Sequence, residues 1–243
     1  MTQISVNRED GRSLDALRPI KITRNYLKWP EGSVLVEQGN TKVIVTASVE
    51  DNVPRFMRDS GKGWITAEYD MLPRATDRRR NRDRNRKIPG RSMEIQRLIG
   101  RSIRAAFNLE ELGEITIKID ADVIQADGGT RCASITGAFV ACYDAIQTAI
   151  AQHIIDELPN FHILSAISVG IVNEVPMLDL AYIEDSNAEV DMNVVMNEKG
   201  ELIEVQGTGE GRSFTRSELD SLLELAEKGN QELIDYIKAE LNL

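Results

Sequence analysis

Two periods of hydrophobic residues run along this chain, and the change from one to the other marks out its elements. Ile20–Thr23, Ser33–Glu37 and Thr41–Val49 are apolar, β-branched runs that predict strands, and Gly39-Asn40 between the last two predicts a tight hairpin turn. Gly63–Glu68 predicts another strand. After the punctuation of Pro89-Gly90, the positions Ile95, Leu98, Ile99, Ile103 and Phe107 recur at helical spacing. They predict a helix from Arg91 that ends near Gly113. The segment EITIKIDADV then alternates, with Ile115, Ile117, Ile119 and Val123 on one face of a half-buried strand. It runs into Asp127-Gly128-Gly129-Thr130 and a long apolar helix, Thr130 to about His153.

The second half repeats this strand-then-helix order. Strands are predicted at Ala166–Val172, Pro176–Tyr182, Ala188–Met196 and Leu202–Val205, with turns at Asp185-Ser186-Asn187 and Asn197–Gly200. The last helix opens on Thr215-Arg216-Ser217-Glu218, a capping box. Its predicted core face is Leu219, Leu222, Leu223 and Ala226, with Gly229 as a candidate interruption. No Pro/Ser-rich or low-complexity segment separates the halves. The pattern predicts a single α+β domain over residues 1–243, with mixed sheets and helices packed against them.

Composition narrows the class. An apolar content of 42% in 243 residues fits a globular chain with a substantial core. No run approaches the roughly 18–20 apolar residues of a membrane span, and MTQISVNREDGRS lacks a signal peptide's apolar region, so no membrane partner is expected. Cys132 and Cys142 fall in one predicted helix, about 15 Å apart at the usual rise per residue, too far for a disulfide. A reduced, cytoplasmic protein is the expectation.

Charge changes the picture more. The net charge is −10, yet Arg78, Arg79, Arg80, Arg82, Arg84, Arg86, Lys87 and Arg91 crowd into one stretch with Asp83 as its only acid. That concentration is an electrostatic footprint for a polyanion, confined to one side of an otherwise acidic surface. A solvated, self-repelling loop is the alternative reading.

Three constellations carry candidate chemistry. Gly128-Gly129-Thr130-Arg131 lies where a strand gives way to a helix, and backbone N–H groups, a hydroxyl and a guanidinium there would suit a phosphate. The same residues would also make an ordinary glycine turn, with Thr130 as a cap and Arg131 in a salt bridge. Asp185 and Asp191 flank a turn signal that can fold the chain back and bring two carboxylates into one oxygen-rich site, a Mg²⁺ arrangement. A pair of surface acids in a hairpin is the alternative. Arg91, just before a helix with Glu94 in its first turn, is a phosphate ligand or the partner of Glu94. Asp120 and Asp122 sit on the polar face of their strand, and His153 and His162 are isolated. No Ser-His-Asp order, CxxC pair or P-loop occurs.

Taken together, RPIKITRNY (18–26), EGSVLVEQGNTKV (31–43), GWITAEYDMLPRAT (63–76), GRSMEIQRLIGRSIRA (90–105), DADVIQADGGTRCASITGA (120–138), EDSNAEVDMNVVM (184–196) and EVQGTGEG (204–211) resemble the ribonuclease PH family of phosphate-dependent 3′ exoribonucleases, in the family's order and over nearly the whole chain. Two departures are visible: GTGEG where the family more often has GTAEG, and a basic loop unusually rich in arginine.

The resemblance implies a ribosomal protein S5 domain 2-like fold of two related β-α units, and a homohexamer built as a trimer of dimers. It implies phosphorolysis: inorganic phosphate attacks the last phosphodiester of an RNA 3′ end, chiefly on tRNA precursors, and releases a nucleoside diphosphate, reversibly. Arg91, Gly129, Thr130 and Arg131 would bind phosphate. Asp185 and Asp191 would hold Mg²⁺ or assist the departing oxygen, and Arg74, Arg78, Arg79, Arg80, Arg82, Arg84 and Arg86 would grip RNA. A catalytically inactive RNA-binding ring subunit and a small-molecule phosphotransferase are the rival readings. Retention of both acids and both arginines disfavours the first, and the basic loop disfavours the second.

Overall fold

The computed structural model describes residues 8–82 and 88–243. Arg84 and Arg86 of the predicted RNA contact lie outside the described residues. The chain begins with three antiparallel strands, β1 (Ile20–Arg24), β2 (Gly32–Gln38) and β3 (Thr41–Glu50). Gln38 pairs with Thr41, so Gly39-Asn40 is the two-residue hairpin loop its sequence predicts. After a 3-10 turn, β4 (Trp64–Met71) lies parallel to β5 (Thr116–Gln125), joined to it by helix α1 (Gly90–Ala106). The first sheet has the order β1-β2-β3-β5-β4. Its inward side chains are period-two residues such as Val34, Val36, Val43, Val45, Ile117 and Ile119, all at most 1% exposed.

Helix α2 (Thr130–Ala151) buries nearly its whole circumference, and the sequence shows why: TRCASITGAFVACYDAIQTAIA is apolar or small on every side. It packs on the first sheet and on β6 (Leu164–Val172) of the second. The second sheet runs β7-β6-β8-β9, with β7 (Val175–Leu178), β8 (Val190–Asn197) and β9 (Leu202–Gly209), antiparallel throughout. A short helix α3 (Tyr182–Asp185) connects β7 to β8. Helix α4 (Arg216–Leu241) covers the other face of that sheet, where Ile167, Val169, Val194, Leu222, Ala226 and Leu233 form a second apolar cluster. Every residue of β6 is buried because helices flank both of its faces.

Three expectations need correction. The first long helix stops at Ala106, short of Gly113, because Phe107 turns extended and bridges to Phe161, where it also stacks near Phe139. Tyr182 leaves the predicted strand Pro176–Tyr182 and opens α3. Gly229 does not interrupt α4. It stands where a Cβ would lie 2.6 Å from Leu178 Cδ1, so its lack of a side chain is what lets α4 approach β7. The capping box is as predicted: Thr215 Oγ1 accepts from Glu218 N and Glu218 Oε2 accepts from Thr215 N.

A closer approach occurs at Gly32, where a Cβ would lie 1.9 Å from the carbonyl oxygen of Ala141 on α2. No flexible side chain can yield there, only the backbone of two packed elements. Gly32→Ala should destabilise at the upper end of the roughly 1–3 kcal/mol typical of overpacking, or beyond it, without changing the denaturant m-value. Since α2 packs against both sheets, we propose that they unfold as one unit. Calorimetry should show one transition in both chains, with the variant's midpoint lowered. An unchanged midpoint would contradict the packing, and two separated transitions would contradict the single unit.

Candidate active site

The connection from β5 to α2 is Ala126-Asp127-Gly128-Gly129, and both glycines are left-handed, with φ of 75° and 64°. A Cβ on Gly128 would lie 2.3 Å from Leu180 O, so this loop and the segment before α3 touch backbone to backbone. Gly129 is the N-cap of α2, and no side chain caps that end. The first-turn N–H groups and the positive end of the helix are therefore available to an anion. Thr130 is not the cap. It is the first helical residue, and its Oγ1 accepts the Tyr69 hydroxyl at 3.0 Å.

A buried guanidinium holds this loop. Arg18, 3% exposed, donates through Nη1 to Asp127 O and more distantly through Nη2 to Gly128 O. The same group grips Asp179 with Nη2–Oδ1 at 2.7 Å and Nε–Oδ2 at 3.1 Å. Asp179 is fully buried and also accepts from Gln38 Nε2 and from Arg18 N. Thr41 Oγ1 completes the cradle by donating to Gly128 O and accepting from Asp127 N.

The two acids arrive from the second sheet. Asp185 ends α3, and the chain reverses through Ser186–Ala188, with Asn187 N bonded to Glu184 O and Ala188 N to Asp185 O. Asp191 follows on β8, opposite Gly170 of β6 and Thr208 of β9. Burial raises the Asp185 carboxyl above the usual range, against the pull of Arg91 and Arg131. Burial, reinforced by the negative charge of Asp185, pushes Asp191 up to about 6. Asp191 Oδ1 is buried with no hydrogen-bond partner. An orphaned acceptor beside a second desolvated carboxylate is a fit for a divalent cation, which these two residues would hold. Among the described residues no group of three or more His, Cys, Asp and Glu gathers as a metal site, so waters and substrate oxygens would complete the shell.

The arginines converge on the same place. Arg91 and Arg131 both act on Asp185, Asp191 and Tyr69 through their charge, and Arg80 acts on Tyr69. α1 starts at Gly90, which puts Glu94 beyond the first turn. Glu94 turns to Arg131 at 3.7 Å and accepts from Gln206, while Arg131 Nη1 donates to Gln206 Oε1 at 3.2 Å. Arg74, Arg78, Arg79 and Arg82 are exposed, and Arg80 is half-buried. Among the described residues, the bonds that shape this stretch use its backbone, as in Arg80 N to Pro73 O and Thr76 Oγ1 to Arg78 O. Asp120 and Asp122 face Glu68 and Asp70 across the β4–β5 ladder, on the first sheet's outer face.

Sequence reasoning missed Arg18, Asp179, Tyr69 and Glu210, the last of which raises both acids by its charge. Arg18 and Glu210 lie within the motifs that carry the resemblance but have no local signal of their own. Only their partners, far off in sequence, give them a role.

Residues 16–146 match the 3′ exoribonuclease family, domain 1, and residues 162–229 match the same family's domain 2. Ribonuclease PH of Corynebacterium efficiens is 55% identical over 240 residues, covering 98% of each chain. Among solved structures, a chain of the Archaeoglobus fulgidus exosome with RNA bound to the active site superposes with a TM-score of 0.82 at 23% identity, over 96% of this chain and 93% of its own. Rice Rrp46 gives 0.77 at 20% identity, over 96% and 100%. These likenesses carry the fold, which is the ribosomal protein S5 domain 2-like α+β arrangement expected from the sequence.

Asp191 is a stability liability. Its carboxyl holds a proton to higher pH in the folded chain than in the unfolded one, so the native state binds more protons across the window from about 4 to about 6, and stability falls as pH rises through it. The charged form then costs about 3 kcal/mol at neutral pH. Without divalent cations or phosphate, Asp191→Asn should melt higher than the unaltered chain at pH 7, and the gap should close toward pH 4. A gap independent of pH would mean that Asp191 is not held in a desolvated, acid-facing position.

Proposed function

The chain belongs to the ribonuclease PH family of 3′ exoribonucleases, and from that premise we propose that it is a phosphorolytic 3′-to-5′ exoribonuclease that trims the 3′ ends of tRNA precursors. The observation that carries this reading is the meeting of two desolvated carboxylates, two arginines and an uncapped helix N-terminus at one place. Inorganic phosphate would bind the Gly129–Thr130 end of α2, with Arg91 and Arg131 as charged donors. From there a phosphate oxygen attacks the terminal phosphodiester. The new P–O bond completes a nucleoside diphosphate, and the shortened RNA leaves with its 3′ oxygen. The reverse reaction adds a nucleotide.

Both reactants are anions, so the work of the site is to neutralise and align them. Asp185 and Asp191 would hold Mg²⁺, which when bound supplies positive charge to the phosphate oxygens. No protein nucleophile is needed. Cys132 and Cys142 are buried thiols whose ionisation burial opposes. Among the described residues no helix is long and apolar enough to cross a membrane. We propose a cytoplasmic location, in line with the ribonuclease PH relative. We further propose a homohexamer, a trimer of dimers, in line with the exosome assemblies whose chains share the fold. Arg74, Arg78, Arg79, Arg80 and Arg82, with Arg84 and Arg86 beyond the described residues, would then line its RNA path.

An RNA with a short 3′ extension should release nucleoside diphosphates only when phosphate and Mg²⁺ are both supplied. Product without phosphate, or none with it, would overturn the reading. Arg131→Ala and Arg91→Ala should each impair phosphate use by roughly 10–100-fold, the worth of a charge-assisted bond, while RNA affinity changes little. A phosphate titration at saturating RNA measures this, and unchanged kinetics would return these arginines to structure.

Replacing Arg78, Arg79, Arg80, Arg82 and Arg84 by Gln should weaken precursor binding. The slope of log K against log salt should flatten by about 0.7–0.9 for each RNA phosphate no longer neutralised. Cleavage of a very short oligonucleotide should change little. An unchanged slope would make the run a solvated surface feature.

A further inference from the structure

Helix α3 is a single turn of four residues, and a turn that short has no stability of its own. Its position must come from tertiary contacts, among them Tyr182 N to Asp127 Oδ1, and one side chain reaches it from two sides. Arg8, with a side chain fully withdrawn from solvent, donates Nε to Glu184 Oε1 at 2.7 Å and Nη2 to Glu184 Oε2 at 2.6 Å. Its remaining N–H groups reach back to the carbonyls at and just after the end of β7, Nη1 to Leu178 O and Nη2 to Asp179 O, each at 2.8 Å, and Nη1 more distantly to Ser13 O. Glu184 Oε2 also accepts from Ala181 N, which closes the turn onto its own start. One planar guanidinium thus ties the end of β7 to the third residue of α3 from both sides. Asp185 is the next residue in the chain, and any pivot of this turn would swing its carboxyl.

We propose that Arg8 and Glu184 are positioning residues that act through Asp185, by fixing the angle at which α3 presents it to Asp191 and to Arg91 and Arg131. Their own hydrogen bonds go to each other and to the backbone of Ser13, Leu178, Asp179 and Ala181, not to those groups. A bidentate pair suits this task because it restrains orientation as well as distance. A lysine at position 8 could replace the charge but not the fork. Arg12 stands behind the pair, with Nη2 3.9 Å from Glu184 Oε2, too far to take over either bond.

The inference rests on the proposed catalytic role of Asp185, and the test keeps the two apart. Three variants, Arg8→Lys, Glu184→Ala and Glu184→Gln, are compared with Asp185→Asn for turnover, phosphate KM, RNA affinity without phosphate, and thermal midpoint. Arg8→Lys and Glu184→Ala should lose turnover by about 10–100-fold, the scale of a small misplacement at a reacting centre. Their phosphate KM and RNA affinity should stay within about two-fold of the unaltered chain, because none of these variants replaces a residue of the helix α2 end or either arginine. Glu184→Gln keeps an acceptor for Ala181 N and for Arg8, and should recover part of the loss seen with Ala. If Asp185→Asn keeps its turnover, the site reading itself fails. If Asp185→Asn is inactive while Arg8→Lys and Glu184→Ala turn over normally, the positioning inference alone fails. It fails equally if their losses in phosphate KM and RNA affinity match the loss in turnover, or if both variants are unfolded, since either result would make the pair a general structural clamp.

Discussion

The buried ion pair between Arg18 and Asp179 is the contact on which the rest of the arrangement depends. Asp179 follows β7 in the second sheet, Arg18 precedes β1 in the first, and the carboxylate also takes Gln38 from β2. The pair therefore ties the two sheets together at one end of α2. Its energetic worth is not mainly cohesive. Two desolvated charges roughly cancel their own desolvation, but removing either partner leaves the other stranded, at a cost of about 3–5 kcal/mol. What the pair supplies is geometry. The guanidinium has donors left over for the carbonyls of Asp127 and Gly128, and so the anion-facing loop is held by the same group that joins the sheets.

The site is assembled at the expense of local stability. Gly128 and Gly129 occupy left-handed conformations, the α2 end has no side-chain cap, and Asp191 carries an acceptor with no partner. The uncapped helix end and the unpartnered acceptor depart from what a purely structural sequence would choose, and each leaves a group that the proposed function would use for phosphate or cation. The surrounding core offsets this. Helix α2, whose first turn lies in the site, is otherwise almost wholly buried, so its end is presented by a rigid element rather than a loop.

Charge is divided in the same way. The acids of the site face arginines, and in the proposed function the arginine run would supply sequence-independent attraction for an RNA strand. Elsewhere the surface is acidic, as where Glu68 and Asp70 oppose Asp120 and Asp122. Such a surface would repel RNA from most of the molecule and direct it to one side.

Local rules made much of this legible in the amino-acid order alone. The two-residue hairpin at Gly39-Asn40, the alternation of β5, the apolar length of α2, the capping box at Thr215 and the arginine run each depend on residues within a few positions of one another. So did the glycine turn before Thr130 and the reversal between Asp185 and Asp191, which is why the candidate ligands could be named, although spacing alone also allowed structural readings for all of them. Tertiary structure decided the rest. The partner of Arg18 is 161 residues away and that of Arg8 is 176, and no periodicity or propensity connects them. Glu94 gave up Arg91 for Arg131 and Gln206 because β9 lies against α1. The first helix ended early because Phe107 found Phe161, and Gly229 stayed helical because Leu178 fills the space its side chain would take. Backbone period is written by neighbours along the chain, whereas the contacts that orient a site are made between elements that meet only after the chain has folded.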